Sequence, residues 1–272
     1  MAFPLPGLKE SLQGSRGTME HTIQILARAG YASRGVLYLV VGLLALTSAV
    51  GMGGQTTSAR GALVEILEQP FGRILLLLMI AGLVGFALWR AIQSLTDADH
   101  HGRDPKALVI RAGHLLSAVT HGFLAYWAIR LMLASREGSK GGSLSALGEG
   151  TATLVIAAAG VLLSGIGVAH IFKGWTARFE RYMTFPSSHE PWARHLCRFG
   201  LVARGVVWCI VAGMLIHSAV RLNSREIQGT GEALDWLAGS PYGQWLLGIV
   251  AAGLVAFGVY SCLEARYRHI RS

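Results

Sequence analysis

Three histidines interrupt stretches that are otherwise apolar. His114 and His121 are seven residues apart and so share a helical face, and His170 lies on a later stretch that returns toward the side of His114. Two neutral imidazoles on facing helices could ligate a haem iron or another metal. A second set is cationic. The phrases "RAGYASRG" (28–35) and "RFGLVARG" (198–205) place Arg28 with Arg34, and Arg198 with Arg204, just before long apolar runs. Such arginines either snorkel to lipid phosphate or line a cationic vestibule for an anionic ligand, and anchoring is the simpler reading. A third set comes from aligning three returning stretches, which matches Gln93, Lys173 and Glu264. If those stretches converge, an ammonium and a carboxylate meet at one mouth.

The same search finds no phosphate loop, no H-E-x-x-H, no G-x-S-x-G and no dinucleotide fingerprint. No catalytic residue is assigned, no cofactor is identified, and enzymatic activity is not expected. The three cysteines include no C-x-x-C, so neither a disulfide framework nor a zinc knuckle is indicated.

The elements that position these groups follow from composition. Hydrophobic residues make up 52% of the chain and charged residues 14%, where soluble domains carry about a quarter charged. The deficit is concentrated in runs such as 74–89 and 151–169, close to the roughly 20 residues a helix needs to cross a bilayer. Six segments qualify: 33–52, 71–93, 113–133, 152–173, 201–220 and 243–263. Residues 1–24 lack an apolar core and a cleavage site, and read as a polar cytoplasmic tail. When the loops are assigned alternately to two sides, most of the 24 Lys and Arg fall with both termini, which places that side in the cytoplasm. The net charge of +9 therefore points to anionic lipid headgroups at the cytoplasmic face and away from nucleic acid. No protein partner is legible.

The arginine phrase belongs to a longer repeat. "QPFG" (69–72) and "SPYG" (240–243), then "AGLVGF" (81–86) and "AGLVAF" (252–257), follow it at nearly constant offset. A middle copy begins at "RAGHLLSA" (from Arg111), and its exit "ARFER" (177–181) matches "ARYRH" (265–269). The fold class is all-α: six transmembrane helices in three tandem hairpins, 25–110, 111–194 and 195–272, parallel to one another and arranged about a pseudo-threefold. The outer loops 58–72 and 231–243 each predict a short amphipathic helix stopped near a proline. In the other copies Tyr31 and Leu201 stand at the His114 position, Tyr38 and Trp208 at His121, and Arg90 and Ser261 at His170. That variation favours packing over a haem or metal site.

With R-x-G-x-x-x-R-G, P-[FY]-G and A-G-L-V repeated over 28–270, the chain resembles a bacterial membrane family, domain of unknown function 1206. The resemblance implies a six-helix protein of the bacterial inner membrane and transfers no activity. The functional expectation is a module between the repeats that binds or transports a small molecule, an ion or a lipid, with Gln93, Lys173, Glu264, Arg34, Arg204, His121 and His170 as its candidate residues. The alternatives are a non-catalytic scaffold or accessory subunit, and a haem- or quinone-linked redox protein built on His114, His121 and His170.

Overall fold

The computed structural model describes residues 6–52, 56–99, 102–133, 149–186, 190–220, 230–239 and 241–270. Among them the regular elements are α1 (Pro6–Ala49), α2 (Ala59–Glu68), α3 (Gly72–Thr96), α4 (Pro105–Leu133), α5 (Glu149–Trp175), α6 (Glu190–Val220), α7 (Thr230–Ala238) and α8 (Gly243–Tyr267). A short 3-10 turn, Arg178–Tyr182, follows α5. The described residues contain no strand beyond one isolated bridge, Met183 to Arg268. Helices α1, α3, α4, α5, α6 and α8 are long and apolar enough to cross a membrane, so the protein is a multi-pass, all-α membrane protein.

Helix α1 starts at Pro6, well inside the segment read above as a tail. Proline suits a first helical turn, and the Lys, Glu, Gln and Met residues that follow are good helix formers.

The P-[FY]-G motif has a geometric cause. Phe71 and Tyr242 take left-handed backbone angles, φ 61° and 60°, between a short outer helix and the return helix. A Cβ on Gly72 would collide with the Leu67 carbonyl, and one on Gly243 with the Ala238 carbonyl. Only glycine lets the chain reverse so tightly. Helix α2 is capped by the Ser58 side chain, which accepts from the Gly61 N–H at 3.4 Å, and it buries Ala62, Leu63 and Ile66.

Helix α1 packs on α3 within the first hairpin, and α6 packs on α8 within the third. Between hairpins, α3 packs on α4, α5 on α6, and α8 on α1. The ring is uneven: among the described residues α4 and α5 make little or no contact. In hairpin one a Cβ on Gly30 would come within 2.5 Å of Phe86 Cβ, and in hairpin three Gly200 presses on the backbone of Phe257 in the same way. Trp89 adds a bond from its indole N–H to the Tyr31 hydroxyl, 3.2 Å. The second hairpin has Ile166 and Ala169 where the others have Phe86 with Trp89 and Phe257 with Tyr260. Its Gly113 faces nothing within 4 Å. Lacking those aromatics, the hairpin stays splayed. The most apolar windows of α4 and α5 are 11% and 17% buried, against 50% and 56% in α6 and α8.

Candidate functional site

Each copy begins with an arginine that caps a helix of its neighbour. Arg28 donates to the Ala265 and Arg266 carbonyls (2.8 and 2.7 Å), Arg111 to those of Ser94 and Leu95 (2.7 and 3.2 Å), and Arg198 to those of Gly174 and Trp175 (3.2 and 2.8 Å). The acceptors end α8, α3 and α5, where carbonyls lack intrahelical partners and the helix dipole favours a cation.

The second arginine of the phrase does not snorkel to lipid, as anchoring would require. Arg34 and Arg204 are only 5% and 8% exposed. Nearly two turns further along its helix, on the face that packs against a neighbouring helix, each is carried inside the bundle. Arg34 Nε donates to Ser261 Oγ at 3.1 Å, and Nη2 pairs with the Glu264 carboxylate. The guanidinium lies 5.0–5.3 Å from the ring centroids of Tyr31, Phe86 and Phe257. Glu264 also accepts from Arg268 Nη1 at 3.0 Å, and Arg268 Nη2 reaches Asp99 at 3.3 Å. Gln93 Nε2 donates to Asp99 at 2.6 Å while its carbonyl accepts from Arg90 Nη1 at 3.1 Å. Lys173 Nζ donates to the Tyr260 hydroxyl at 3.1 Å. Arg34, Lys173, Arg268 and Arg90 all act on Glu264 through their fields. Gln93, Lys173 and Glu264, matched by repeat alignment, thus meet in one polar network with Arg34.

Arg204 is the exception within the network. Its guanidinium lies 4.3 Å from the Phe257 ring, 4.5 Å from Tyr38 and 5.9 Å from Trp208. It makes no hydrogen bond or ion pair among the described residues, and its Nε is buried without an acceptor. The repeat explains why. Arg34 packs against α8, which offers Ser261 and Glu264; the helix of Arg204, α6, packs against α5, which at the matching positions has His170 and Lys173, while the guanidinium itself lies on Tyr38 of α1 and Phe257 of α8. A cation stands where the other interface has a carboxylate. Across the cluster Arg34, Arg90, Lys173, Arg204 and Arg268 outnumber Asp99 and Glu264, and a buried excess of charge is costly unless an anion joins it.

His121 and His170 are each held by their own helix. His121 Nδ1 is 2.8 Å from the Ser117 carbonyl and its ring meets Phe86 edge-on at 4.6 Å; His170 Nδ1 is 2.9 Å from the Ile166 carbonyl. Each is tied to its own helix one turn back. Among the described residues no three of His, Cys, Asp and Glu gather around a common point. Both rings are half-buried and lie in the fields of Arg34 and Arg204, so they border the cationic cluster.

Sequence reasoning missed Arg90, Asp99, Arg268 and Tyr260 as members of this network. Arg90 was in view only as the counterpart of His170, and Asp99 and Arg268 lie beyond the apolar runs. Outside the spans, burial and the Asp99 carboxylate raise the Tyr182 hydroxyl above its ordinary pKa. Burial opposes charge on Arg268, but Tyr31, Glu264 and Asp99 outweigh it and hold its pKa above the usual arginine value. The segment after α5 closes this end of the bundle: the His269 N–H donates to the Tyr182 carbonyl at 2.9 Å, and Phe179 and Met183 are buried with Cys197, Leu201, Phe257 and Tyr260.

The family model described as Domain of Unknown Function (DUF1206) matches residues 29–97 and again 199–268. The two matches fall on the first and third hairpins, so the internal repeat is a property of the chain. The Uncharacterized protein YxxB of Bacillus subtilis (strain 168) is 25% identical over 254 residues, spanning 91% of this chain and 92% of its own length. No solved structure matches.

Proposed function

The chain belongs to the DUF1206 family, and from its buried charge we propose that it binds an anion at Arg204, as a binding or transport module of the bacterial cell membrane. The observation that carries the reading is a guanidinium 8% exposed whose Nε has no hydrogen-bond acceptor, at a helix interface where the repeat puts Lys173 in the place of Glu264. A phosphate or carboxylate would accept from Arg204, which suits such oxygens because its donors form a planar fork. His170 and His121 would border the bound anion, and Gln93 with Arg90 would form the far wall.

The orientation that goes with this reading puts both chain ends, and the cluster near them, on the cytoplasmic side. The excess of Lys and Arg in the loops on that side supports it. Anionic headgroups there are the lipid partner. The division into hairpins 25–110, 111–194 and 195–272 about a pseudo-threefold axis is supported by the arginine caps that recur in all three copies.

The test is thermal unfolding of the detergent-purified full chain with inorganic phosphate. A ligand at 100 times its Kd stabilises the native state by about 2.7 kcal/mol, so the melting temperature rises with phosphate. Arg204→Gln should abolish the rise and Arg204→Lys should keep part of it. An equal rise in both variants would remove Arg204 from the function.

A further inference from the structure

We propose that the anion at Arg204 is the headgroup of an anionic amphiphile that enters sideways from the bilayer, its chain lying in the slit between α4 and α5. This rests on the anion-binding reading above and names its substrate class. The slit is built by sequence. Hairpin one seals its two helices with Phe86 on Gly30 and Trp89 on Tyr31; hairpin two has Ile166 and Ala169 there, Gly113 faces open space, and among the described residues α4 and α5 make little or no contact.

The slit leads to charge. His121 projects from α4 and His170 from α5, both half-buried and both in the fields of Arg34 and Arg204. Among the described residues both ends of the bundle are closely packed, apart from a small cavity lined by Leu37, Tyr38, Val41 and Ala59. At the end carrying the chain termini, Phe179 and Met183 are 1% and 5% exposed, and Arg268 ties α8 to Asp99 beyond α3. Toward the opposite end, Leu37, Val41, Leu63, Leu234 and Leu247 form one continuous buried core.

Depth agrees with a headgroup. Arg204 stands where the charge-free stretch 205–220 begins, so its guanidinium lies near the level at which a lipid's phosphate meets its acyl chains. A free anion has no reason to arrive through an apolar slit, whereas an amphiphile keeps its chain in hydrocarbon while its phosphate reaches Arg204.

The experiment is native mass spectrometry of the full chain offered dioleoylphosphatidylglycerol or dioleoylphosphatidylcholine, beside phosphate thermal shifts on the same samples. Wild type should retain the anionic lipid about tenfold better than the zwitterionic one, a difference of about 1.4 kcal/mol. Arg204→Gln should lose that preference. Ala169→Trp, which installs the residue hairpin one uses, should cut lipid retention about tenfold while leaving the phosphate shift unchanged. Gly113→Leu fills the same slit from α4 and serves if the tryptophan variant fails to fold. Full lipid retention in folded slit variants, or phosphate binding without lipid preference, would overturn lateral entry and leave the anion site standing. Loss of both responses in wild type would sink the two readings together.

Discussion

The interface of α1 with α8 and that of α6 with α5 are two versions of one contact, with opposite charge. At the first, a Cβ on Gly35 would sit 2.9 Å from the Gly258 carbonyl; at the second, one on Gly205 would sit 2.7 Å from the Gly167 carbonyl. Close approach through small residues is kept in both, as expected where packing must drive helix association in lipid. The polar residues next to it are not kept. Ser261 and Glu264 bind Arg34 directly, whereas α5 offers His170 and Lys173 at those places and Arg204 Nε is left without an acceptor. The repeat conserves shape and varies electrostatics, and a site arises where the variation leaves charge unbalanced.

The largest expected effect tests that contrast directly. Glu264→Gln removes the carboxylate that Arg34 and Arg268 share at 2% exposure, and breaking a buried pair from one side costs about 3–5 kcal/mol. Lys173→Gln, at the matching place on α5, loses the bond to the Tyr260 hydroxyl but breaks no direct ion pair, and should cost only about 1 kcal/mol. Thermal melts of the two variants in one detergent decide it. Equal losses would show that the two interfaces are electrostatically alike.

Much of the architecture was legible because a bilayer constrains helices so strongly. Charge-free runs of span length have few alternatives, and the short helix before P-[FY]-G follows from proline, a left-handed aromatic and a crowded glycine. The meeting of Gln93, Lys173 and Glu264 was legible from alignment of the copies. The burial of Arg34 and Arg204 was not. Within one copy an arginine at the start of an apolar run looks free to reach lipid phosphate, and its true neighbour is a helix from a different hairpin. Asp99 and Arg268 lie outside the apolar runs, where no apolar periodicity marks them. The slit was written in Ala169 and Ile166, but only the packing of α3 and α8 against their partners shows what Trp89, Phe86 and Phe257 do there.

A smaller effect probes the packing half of the comparison. Gly30→Ala forces a methyl within 2.5 Å of Phe86 Cβ and 2.6 Å of its backbone, and overpacking of this kind costs about 1–3 kcal/mol. Gly113→Ala adds the same methyl where nothing lies within 4 Å, so only helix propensity acts, with a gain of up to about 1 kcal/mol. Opposite signs in the two melts are expected. A comparable loss at Gly113 would mean that α4 and α5 close on each other in the membrane, and the slit would not exist.

The smallest effects come from the arginine caps, and they ask how far the three copies are equivalent. Arg28, Arg111 and Arg198 are each half-buried and each donate to two carbonyls at the end of a neighbouring return helix. Truncating any one to alanine removes charge-assisted bonds at a helix terminus, worth about 1 kcal/mol where solvent can partly replace them. Near-equal losses for Arg28→Ala, Arg111→Ala and Arg198→Ala would support a shared joint between successive hairpins, one that persists although the second hairpin is splayed. A negligible loss at Arg111 alone would show that the joint fails where the hairpin opens, and would tie capping to the aromatic seal that α4 and α5 lack.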